Sequence, residues 1–390
     1  MRVLFISDVY FPRVNGVSTS IRTFRSDLAA LQVQTLLVAP AYAGQAPEPD
    51  VLRIPSGGVP ADPEDRRMQL GALRRALARL PAAGFDLVHI HTPFVAHYAG
   101  VRFARRAGLP CVETYHTFFE EYLHHYLPAC PRPLGRWLAR ALTRAQCGAV
   151  QALIAPSEPM RTVLLGYGVR TPIHVLPTGL PADRFRAGDG AAFRARAGIP
   201  AQRPLVTYVG RVAHEKNIGF LVRMFAQVRA RVPDALLVIA GEGPARESLR
   251  AQVARLGLAE CVHFAGYLAR DSALLDCYAA ADVFAFASRT ETQGLVLLEA
   301  LAQGTPVVST AELGTRSILT PDSGALVVPE EETAFAAAVA RVLSDAALRQ
   351  ELATRARAHA RRWSSARMAL QLHALYAQLT AAPHTRRRAA

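Results

Sequence analysis

Two glutamates stand at the two ends of the stretch Glu-Thr-Gln-Gly-Leu-Val-Leu-Leu-Glu, Glu291 at its start and Glu299 at its finish. The apolar run before it predicts a buried strand, and Gly294 is expected to begin a helix that ends before Gly304. Unpaired N–H groups at such a helix start can bind an anion. Eight helical steps would separate the carboxylates by about 12 Å, whereas the pair of a retaining glycosidase lies ~5 Å apart. We therefore expect the glutamates to contact separate parts of one elongated ligand; two solvated glutamates at a helix start are the alternative.

The next candidate is the loop at residues 210–217, Gly-Arg-Val-Ala-His-Glu-Lys-Asn, which follows a predicted strand and contains the single lysine of the sequence. Gly210 lets backbone approach a ligand, Arg211 offers a planar guanidinium, and Lys216 offers a compact charge. Arg211 and Lys216 could clasp a diphosphate from two sides. Because every other basic residue is an arginine, the lone lysine favours a binding role over an ordinary basic surface turn.

Two more turns follow predicted strands. Asn15 and Gly16 precede a helix expected from Val17 and could present N–H donors at its N-terminus, although an ordinary strand-to-helix turn is the alternative. Gly241 belongs to Ala-Gly-Glu-Gly-Pro, half of a dinucleotide fingerprint, but Arg246 occupies the third glycine position. We interpret Gly241 as a tight turn on the nucleotide side and disfavour a dinucleotide oxidoreductase.

The histidines offer hydrogen bonding and proton transfer. His116 follows a predicted strand and is expected to reach a sugar hydroxyl or to move a proton, since histidine titrates near neutral pH; a structural histidine is the default alternative. His89 and His91 imitate a metal pair, but they lack a convincing third ligand, and no Asp-x-Asp pattern is present, so no metal site is predicted. Neighbouring His124 and His125 are interpreted as surface or acceptor-site residues.

The candidate residues can be brought together only by a fold that positions them, and the chain shows strands alternating with helices. That alternation predicts an α/β protein of two doubly wound parallel-sheet domains facing each other across a cleft, with ligands at the carboxyl ends of the strands. The first domain is expected over residues 1–178 and the second over 179–363. A helix at about 364–380 is expected to pack back on the first domain, and 381–390 to form a disordered basic tail. The predicted strands are Val3–Ser7, Thr35–Ala39, Asp86–Ile90, Cys111–Thr114, Leu153–Ala155, Leu205–Val209, Ala235–Ala240, Val262–Phe264, Asp282–Ala287 and Pro306–Ser309.

Composition limits the compartment and the partners. The sequence shows no signal peptide, no apolar run of the ~18 residues that a membrane span needs, and five scattered cysteines, which together predict a cytoplasmic protein with reduced thiols. The net charge is +14, with 19 basic and 12 acidic residues in 1–180 and 26 and 19 in 181–390. An excess shared in this way argues against a nucleic-acid arm and favours a phosphate ligand or an anionic membrane surface, on which the protein could be peripheral.

Two basic segments bear on the membrane partner. A helix expected over Arg66–Leu80 places four leucines on one face and arginines elsewhere, which suits an interfacial helix but equally a core-facing helix with a solvated face. Trp137 lies among arginines at 132, 136, 140 and 144 and adds to the membrane interpretation.

In combination, the Asn15–Gly16 turn, His116, the 210–217 loop and the Glu291–Glu299 pair resemble the retaining family-4 glycosyltransferases of the GT-B fold, over nearly the whole chain. Residues 89–94 and 115–122 look like the branch that contains diacylglycerol α-glucosyltransferases and GDP-mannose-dependent mannosyltransferases. The family usually has two adjacent glycines at positions 15 and 16, so the phosphate contact of Asn15 is the part that the resemblance does not carry over.

The resemblance implies metal-independent transfer of a hexose from a nucleotide-diphosphate sugar to an acceptor hydroxyl of a lipid such as diacylglycerol, or of a glycan, with no separate cofactor. The implied roles are diphosphate binding by Arg211, Lys216, Gly16, Gly294 and Leu295, ribose binding by Glu299, sugar binding by Glu291 and His116, and a base site beside Tyr267 and Leu268. A nucleotide-sugar epimerase and a non-catalytic nucleotide-sugar-binding peripheral membrane protein are the alternatives.

Overall fold

The computed structural model describes residues 1–59, 62–116, 132–270 and 272–381. The chain divides into two compact units of similar size. The first combines Met1–Gly179 with the segment that begins at Ser365, and the second is Leu180–Ser364. The predicted alternation of strands and helices is confirmed in both units.

The first unit is built on a seven-stranded parallel sheet in the order β3-β2-β1-β6-β7-β8-β9. Its central strands are continuous apolar runs because helices cover both faces. The strands are β1 Arg2–Ile6, β2 Gln34–Pro40, β3 Val51–Ile54, β6 Leu87–Ile90, β7 Cys111–Thr114, β8 Ala152–Ala155 and β9 Ile173–Val175. The described α-helices are Gly16–Ala30, Leu70–Arg79, Val95–Ala107, Arg132–Cys147, Glu158–Gly166 and Ser365–Ala381.

An antiparallel hairpin corrects one predicted element. β4 (Ser56–Val59) pairs with β5 (Asp62–Met68), so Arg66 and Arg67 lie opposite glycines in a strand and not in a helix. Because the residues up to Met68 are hydrogen-bonded in this strand pair, the helix expected over 66–80 begins later and spans only Leu70–Arg79.

The C-terminal helix completes the core of the first unit. Met368, Leu372, Leu375 and Tyr376 pack in one apolar cluster with residues of β1 and of the helix Gly16–Ala30. Beyond Ala381, the predicted basic tail lies outside the described residues.

The second unit has a six-stranded parallel sheet in the order β12-β11-β10-β13-β14-β15. Its strands are β10 Leu205–Val209, β11 Leu236–Ala240, β12 Val262–Gly266, β13 Val283–Phe286, β14 Val307–Ser309 and β15 Ala325–Val327. Its α-helices are Gly190–Arg196, Ile218–Arg231, Arg246–Arg255, Ser272–Ala280, Leu295–Gln303, Glu332–Ser344 and Ala346–Ala360. One large apolar cluster joins the sheet to these helices.

Each sheet has one point at which the strand order reverses direction. In the first unit it lies between β1 and β6, and in the second between β10 and β13. Loops that leave the carboxyl ends of two such strands diverge to opposite sides and leave a crevice, the usual ligand position in open α/β sheets.

Four of the five cysteines lie in the described part of the chain, where they are buried and form no disulfide. Within that same part, no helix is both long and apolar enough to cross a membrane.

Candidate functional site

The reversal point of the second unit brings together two predicted residues. Lys216 follows β10 and Glu291 follows β13, and Lys216 Nζ donates to Glu291 Oε1 at 2.6 Å. Their side chains are 15% and 21% exposed, respectively, so the pair is mostly withdrawn from water but open to a ligand. An ammonium group has three N–H donors and can bind a further anion while it keeps this contact.

Asn217 anchors the lysine loop. It adopts the left-handed conformation (φ 57°) between the short 3-10 turn His214–Lys216 and the helix Ile218–Arg231. Its side-chain amide donates to the Ala287 carbonyl at 3.2 Å and to Glu330 Oε1 at 3.1 Å. No role for Asn217 is predicted from the sequence, although the tolerance of asparagine for positive φ beside the lysine was an available signal.

Arg211 lies on the same loop as Lys216. Its Nη1 is 3.9 Å from Glu215 Oε1, and its carbonyl accepts a hydrogen bond from the buried Tyr208 hydroxyl at 3.2 Å. The loop therefore presents the cationic side chains of Arg211 and Lys216, and its backbone is held in place by the buried Tyr208 hydroxyl.

Two turns pack so closely at position 241 that only glycine fits there. Its φ is +136°, and a Cβ there would lie 1.9 Å from the Gly210 carbonyl oxygen. Gly210 N donates to Ala240 O at 3.0 Å and Gly241 N to Gly266 O at 2.7 Å, so the ends of β10, β11 and β12 are linked through backbone atoms. The structure thus shows the tight turn; nucleotide contact by Gly241 stays a prediction.

Gly294 begins the helix Leu295–Gln303 as predicted. It takes φ +99° and, as a glycine, has no side chain with which to cap the helix. The preceding turn is fixed by Gly314 N, which donates to Glu291 O at 2.9 Å. The first N–H groups of the helix, Leu295 included, therefore start next to the turn that carries Glu291, and their binding of a phosphate stays a prediction.

Glu299 has different partners from Glu291. It is 1% exposed, its Oε2 accepts from the Tyr278 hydroxyl at 2.9 Å, and its Oε1 forms an ion pair with Arg270. The two glutamates thus have separate protein partners, and their contact with separate parts of one ligand stays a prediction. Neither Arg270 nor Tyr278 is predicted from the sequence, since no local pattern marks them.

Tyr267 and Leu268 follow β12. Gly266 turns the chain with φ +69°, after which Tyr267 is 56% exposed while Leu268 packs against the core. An exposed aromatic ring on an anchored turn is suited to stacking on a planar ligand.

In the first unit, the histidines form one cluster. His91 Nδ1 and His116 Nε2 are 3.3 Å apart, and His89 is held at 2.6 Å by both the Tyr376 and the Thr114 hydroxyls. Burial lowers the pKa of His116 to about 4 and the pKa values of His89 and His91 well below their ordinary value. The expectation that His116 titrates near neutral pH is therefore wrong, and its neutral ring can still donate or accept a hydrogen bond.

The reversal point of the first unit also holds Asp8, which the sequence analysis missed. Thr92 Oγ1 donates to Asp8 Oδ2 at 2.8 Å, and Ala96 N donates at 3.1 Å. Burial raises the pKa of Asp8 to about 6. The carboxyl thus accepts a backbone N–H at the start of the helix Val95–Ala107.

Asn15 and Gly16 lie on the next loop. Asn15 Oδ1 accepts from Ser18 N at 2.8 Å and caps the helix Gly16–Ala30, whose first residue is exposed. The side chain of Asn15 is thereby used inside the protein, and phosphate contact at Asn15 and Gly16 stays a prediction.

His124 and His125 lie outside the described residues. Within the described ranges, no group of three or more His, Cys, Asp or Glu side chains is placed to hold a metal ion.

The chain matches two family models, Glycosyltransferase Family 4 over residues 14–184 and Glycosyl transferases group 1 over residues 190–359. An alpha-monoglucosyldiacylglycerol synthase of Streptococcus pneumoniae is 33% identical over 317 residues, 79% of this chain and 71% of that protein. A GDP-mannose-dependent alpha-mannosyltransferase of Mycobacterium tuberculosis is 29% identical over 341 residues, 85% of each chain.

Two solved structures share the fold along the chain. A sucrose-phosphate synthase from Thermosynechococcus elongatus superposes with a TM-score of 0.79 at 24% identity, covering 97% of this chain and 99% of that one. The Anabaena protein HepE in complex with UDP and glucose gives a TM-score of 0.79 at 19% identity, covering 97% and 100%.

Proposed function

This chain belongs to glycosyltransferase family 4 and has the GT-B fold, and we propose that it is a retaining enzyme that moves a hexose from a nucleotide-diphosphate sugar to a membrane lipid. Glycosyltransferase action on a lipid or glycan acceptor is what its relatives support. The finer proposal is a donor of the UDP-glucose or GDP-mannose type and a diacylglycerol-like acceptor.

The Lys216–Glu291 pair carries this proposal. It combines, at one crevice, a cation for a diphosphate and a carboxylate for sugar hydroxyls. Lys216 and Arg211 would hold the diphosphate together with the N–H groups at the start of the helix Leu295–Gln303. Glu291 would accept from hydroxyls of the transferred sugar and Glu299 from those of the ribose, with Tyr267 stacked on the base.

In the proposed reaction, the bond between the anomeric carbon and the β-phosphate oxygen breaks while the acceptor oxygen bonds to the same face of that carbon. The acceptor proton passes to the leaving phosphate. Negative charge grows on the diphosphate, and cationic side chains held in advance stabilise it most where water is excluded. From the first unit, neutral His116 would contribute a hydrogen bond to the sugar and not a charge.

A lipid acceptor is consistent with the surface of the helix Arg132–Cys147. Trp137 on this helix is 61% exposed, and Leu134, Leu138 and Leu142 are exposed with it. Arginines 136, 140 and 144 lie exposed on the same helix. An apolar surface interspersed with cations suits the interface of an anionic membrane.

The test offers the purified protein UDP-glucose, UDP-galactose and GDP-mannose with vesicles that contain diacylglycerol. We expect one donor to give a glycolipid with retained anomeric configuration, in the presence and absence of a chelator. Glu291→Ala should abolish product, whereas Arg355→Ala, which removes an exposed pair with Glu351, should not.

Each of the other outcomes argues against the proposal. Sugar interconversion in donor alone would indicate an epimerase. Donor binding without product on any lipid or sugar acceptor would indicate a non-catalytic protein.

A further inference from the structure

The buried carboxylate of Glu299 is held from two sides by residues outside its own helix. Tyr278, on the helix Ser272–Ala280, donates to Oε2, and Arg270, just before that helix, pairs with Oε1. The Glu299 side chain is 2% exposed and that of Arg270 is 20% exposed, so Arg270 is the more accessible member of the pair.

A buried carboxylate needs such partners. Without a counter-charge its ionised form would be costly at this depth. The charge of Glu299 raises the pKa of Arg270 in turn. The Tyr278 backbone is fixed as well, since its carbonyl accepts from Thr305 Oγ1 at 2.7 Å.

The remaining capacity of the carboxylate is what suggests a ligand. A carboxylate has about four acceptor positions, two on each oxygen. Arg270 takes one on Oε1 and Tyr278 takes one on Oε2. Among the described residues these are the contacts of the two oxygens, so one acceptor position stays on each, which is the number that two neighbouring hydroxyls of one sugar ring require.

We propose that Arg270 is a positioning residue for nucleotide recognition: with Tyr278 it holds the Glu299 carboxylate turned so that both oxygens accept from the cis-diol of a ribose. This inference rests on the proposed function, in which Glu299 binds the ribose. It adds that selection of a ribonucleotide over a deoxyribonucleotide depends on a side chain that itself need not touch the ligand.

Calorimetric titration with UDP and GDP and with their 2′-deoxy counterparts tests this. For the base that the wild type prefers, we expect the ribonucleotide to bind about tenfold more tightly than its 2′-deoxy form. Arg270→Gln should weaken ribonucleotide binding about tenfold and 2′-deoxynucleotide binding far less, so the ratio of the two affinities falls toward one. Arg270→Lys should restore part of that ratio, and Tyr278→Phe should lower it less than Arg270→Gln.

The chain provides a matched control. Asp276 is a buried carboxylate on the same helix as Tyr278, and it pairs with Arg196 at 2.7 Å. Arg196→Gln therefore removes a cation from a second buried carboxylate, and it should leave the ribose selectivity unchanged. In turnover assays, Arg270→Gln should raise KM about tenfold with kcat within twofold of the wild type.

The outcomes separate the two proposals. An Arg270→Gln protein that is folded by circular dichroism and keeps the wild-type affinity ratio would overturn the positioning role and leave the proposed function standing. Equal loss in the Arg196→Gln control would do the same, because it would indicate a general structural effect. A wild type that binds neither nucleotide would overturn both.

Discussion

The two sheets of the molecule reverse strand order in the same way, yet their reversal points differ in charge. Between β10 and β13 the second unit places a lysine against a carboxylate at 2.6 Å. Between β1 and β6 the first unit places Asp8 against Thr92 and the N-terminus of the helix Val95–Ala107. His91, a member of the histidine cluster, directly precedes Thr92 in the sequence. A shared topology therefore fixes where a ligand can bind but not which ligand binds.

The difference lies in the ionisable groups at the two reversal points. In the second unit Lys216 pairs with Glu291, and nearby the pKa of Arg270 rises because Glu299 stabilises its charge. In the first unit burial lowers the pKa of His116 and raises that of Asp8, which favours their neutral forms. The second unit can therefore offer a cation to a diphosphate, whereas the neutral groups of the first unit offer hydrogen bonds.

The largest expected effect removes a charge from the second unit. Lys216→Ala should lower kcat/KM by about 10²–10³-fold, the usual loss for one preorganised donor at developing negative charge. His116→Gln keeps a neutral hydrogen-bonding group and should lower it by only about tenfold. Steady-state kinetics on both variants, with folding checked by circular dichroism, measure the contrast. Equal losses would show that the two units do not differ in the way described.

A second comparison uses one glycine from each unit. Gly241→Ala should destabilise the protein by ~3 kcal/mol or more, because a Cβ would lie 1.9 Å from the Gly210 carbonyl oxygen in a positive-φ backbone. Gly16→Ala should change the free energy of unfolding by less than ~0.5 kcal/mol, since nothing lies within 4 Å of a Cβ there. Urea unfolding of both variants provides the measurement, and a well-tolerated Gly241→Ala would contradict the close approach of the two turns.

The smallest predicted effect concerns the stability of the folded protein at acidic pH. Unfolded His116 binds a proton near its ordinary pKa of 6.5, but the folded residue does so only near 4. Between these pH values the unfolded state holds more protons, so stability falls as the pH falls from 6.5 to 4. His116→Gln lacks this contribution and should lose less stability over that range, by on the order of 2 kcal/mol.

Thermal melts at several pH values test this difference. Asp8, whose pKa is raised to about 6, acts in the opposite direction. It is present in both proteins and cancels from the comparison. Parallel pH profiles for the wild type and His116→Gln would contradict the neutral buried ring.

Local patterns predicted much of the fold. The buried runs at Leu205–Val209 and Cys111–Thr114 are strands with those bounds, because helix-covered parallel strands are apolar throughout. Three-residue edge strands such as Ile173–Val175 and Ala325–Val327 were not predicted, since so short a run has no periodicity to detect. Arg66 and Arg67 fit the helical pattern that follows them in the sequence. In the structure they lie in strand β5 instead, where they pair with glycines of β4.

The candidate site divides in the same way. Lys216 could be found because it is a lysine among arginines, and Glu291 because it stands before a helix start. Arg270 gave no such signal, as one arginine among many, and its partner lies 29 residues further along the chain. Side chains recruited by tertiary packing leave no mark on the local sequence.

The helix Ser365–Ala381 is the last described element of the chain, yet it belongs to the core of the first unit. During synthesis on the ribosome, the first unit must therefore wait until residues 365–381 have been made before Tyr376 can reach His89. The middle of the chain, Leu180–Ser364, emerges complete and can fold earlier. Order of synthesis and order of completion are thus inverted in this protein.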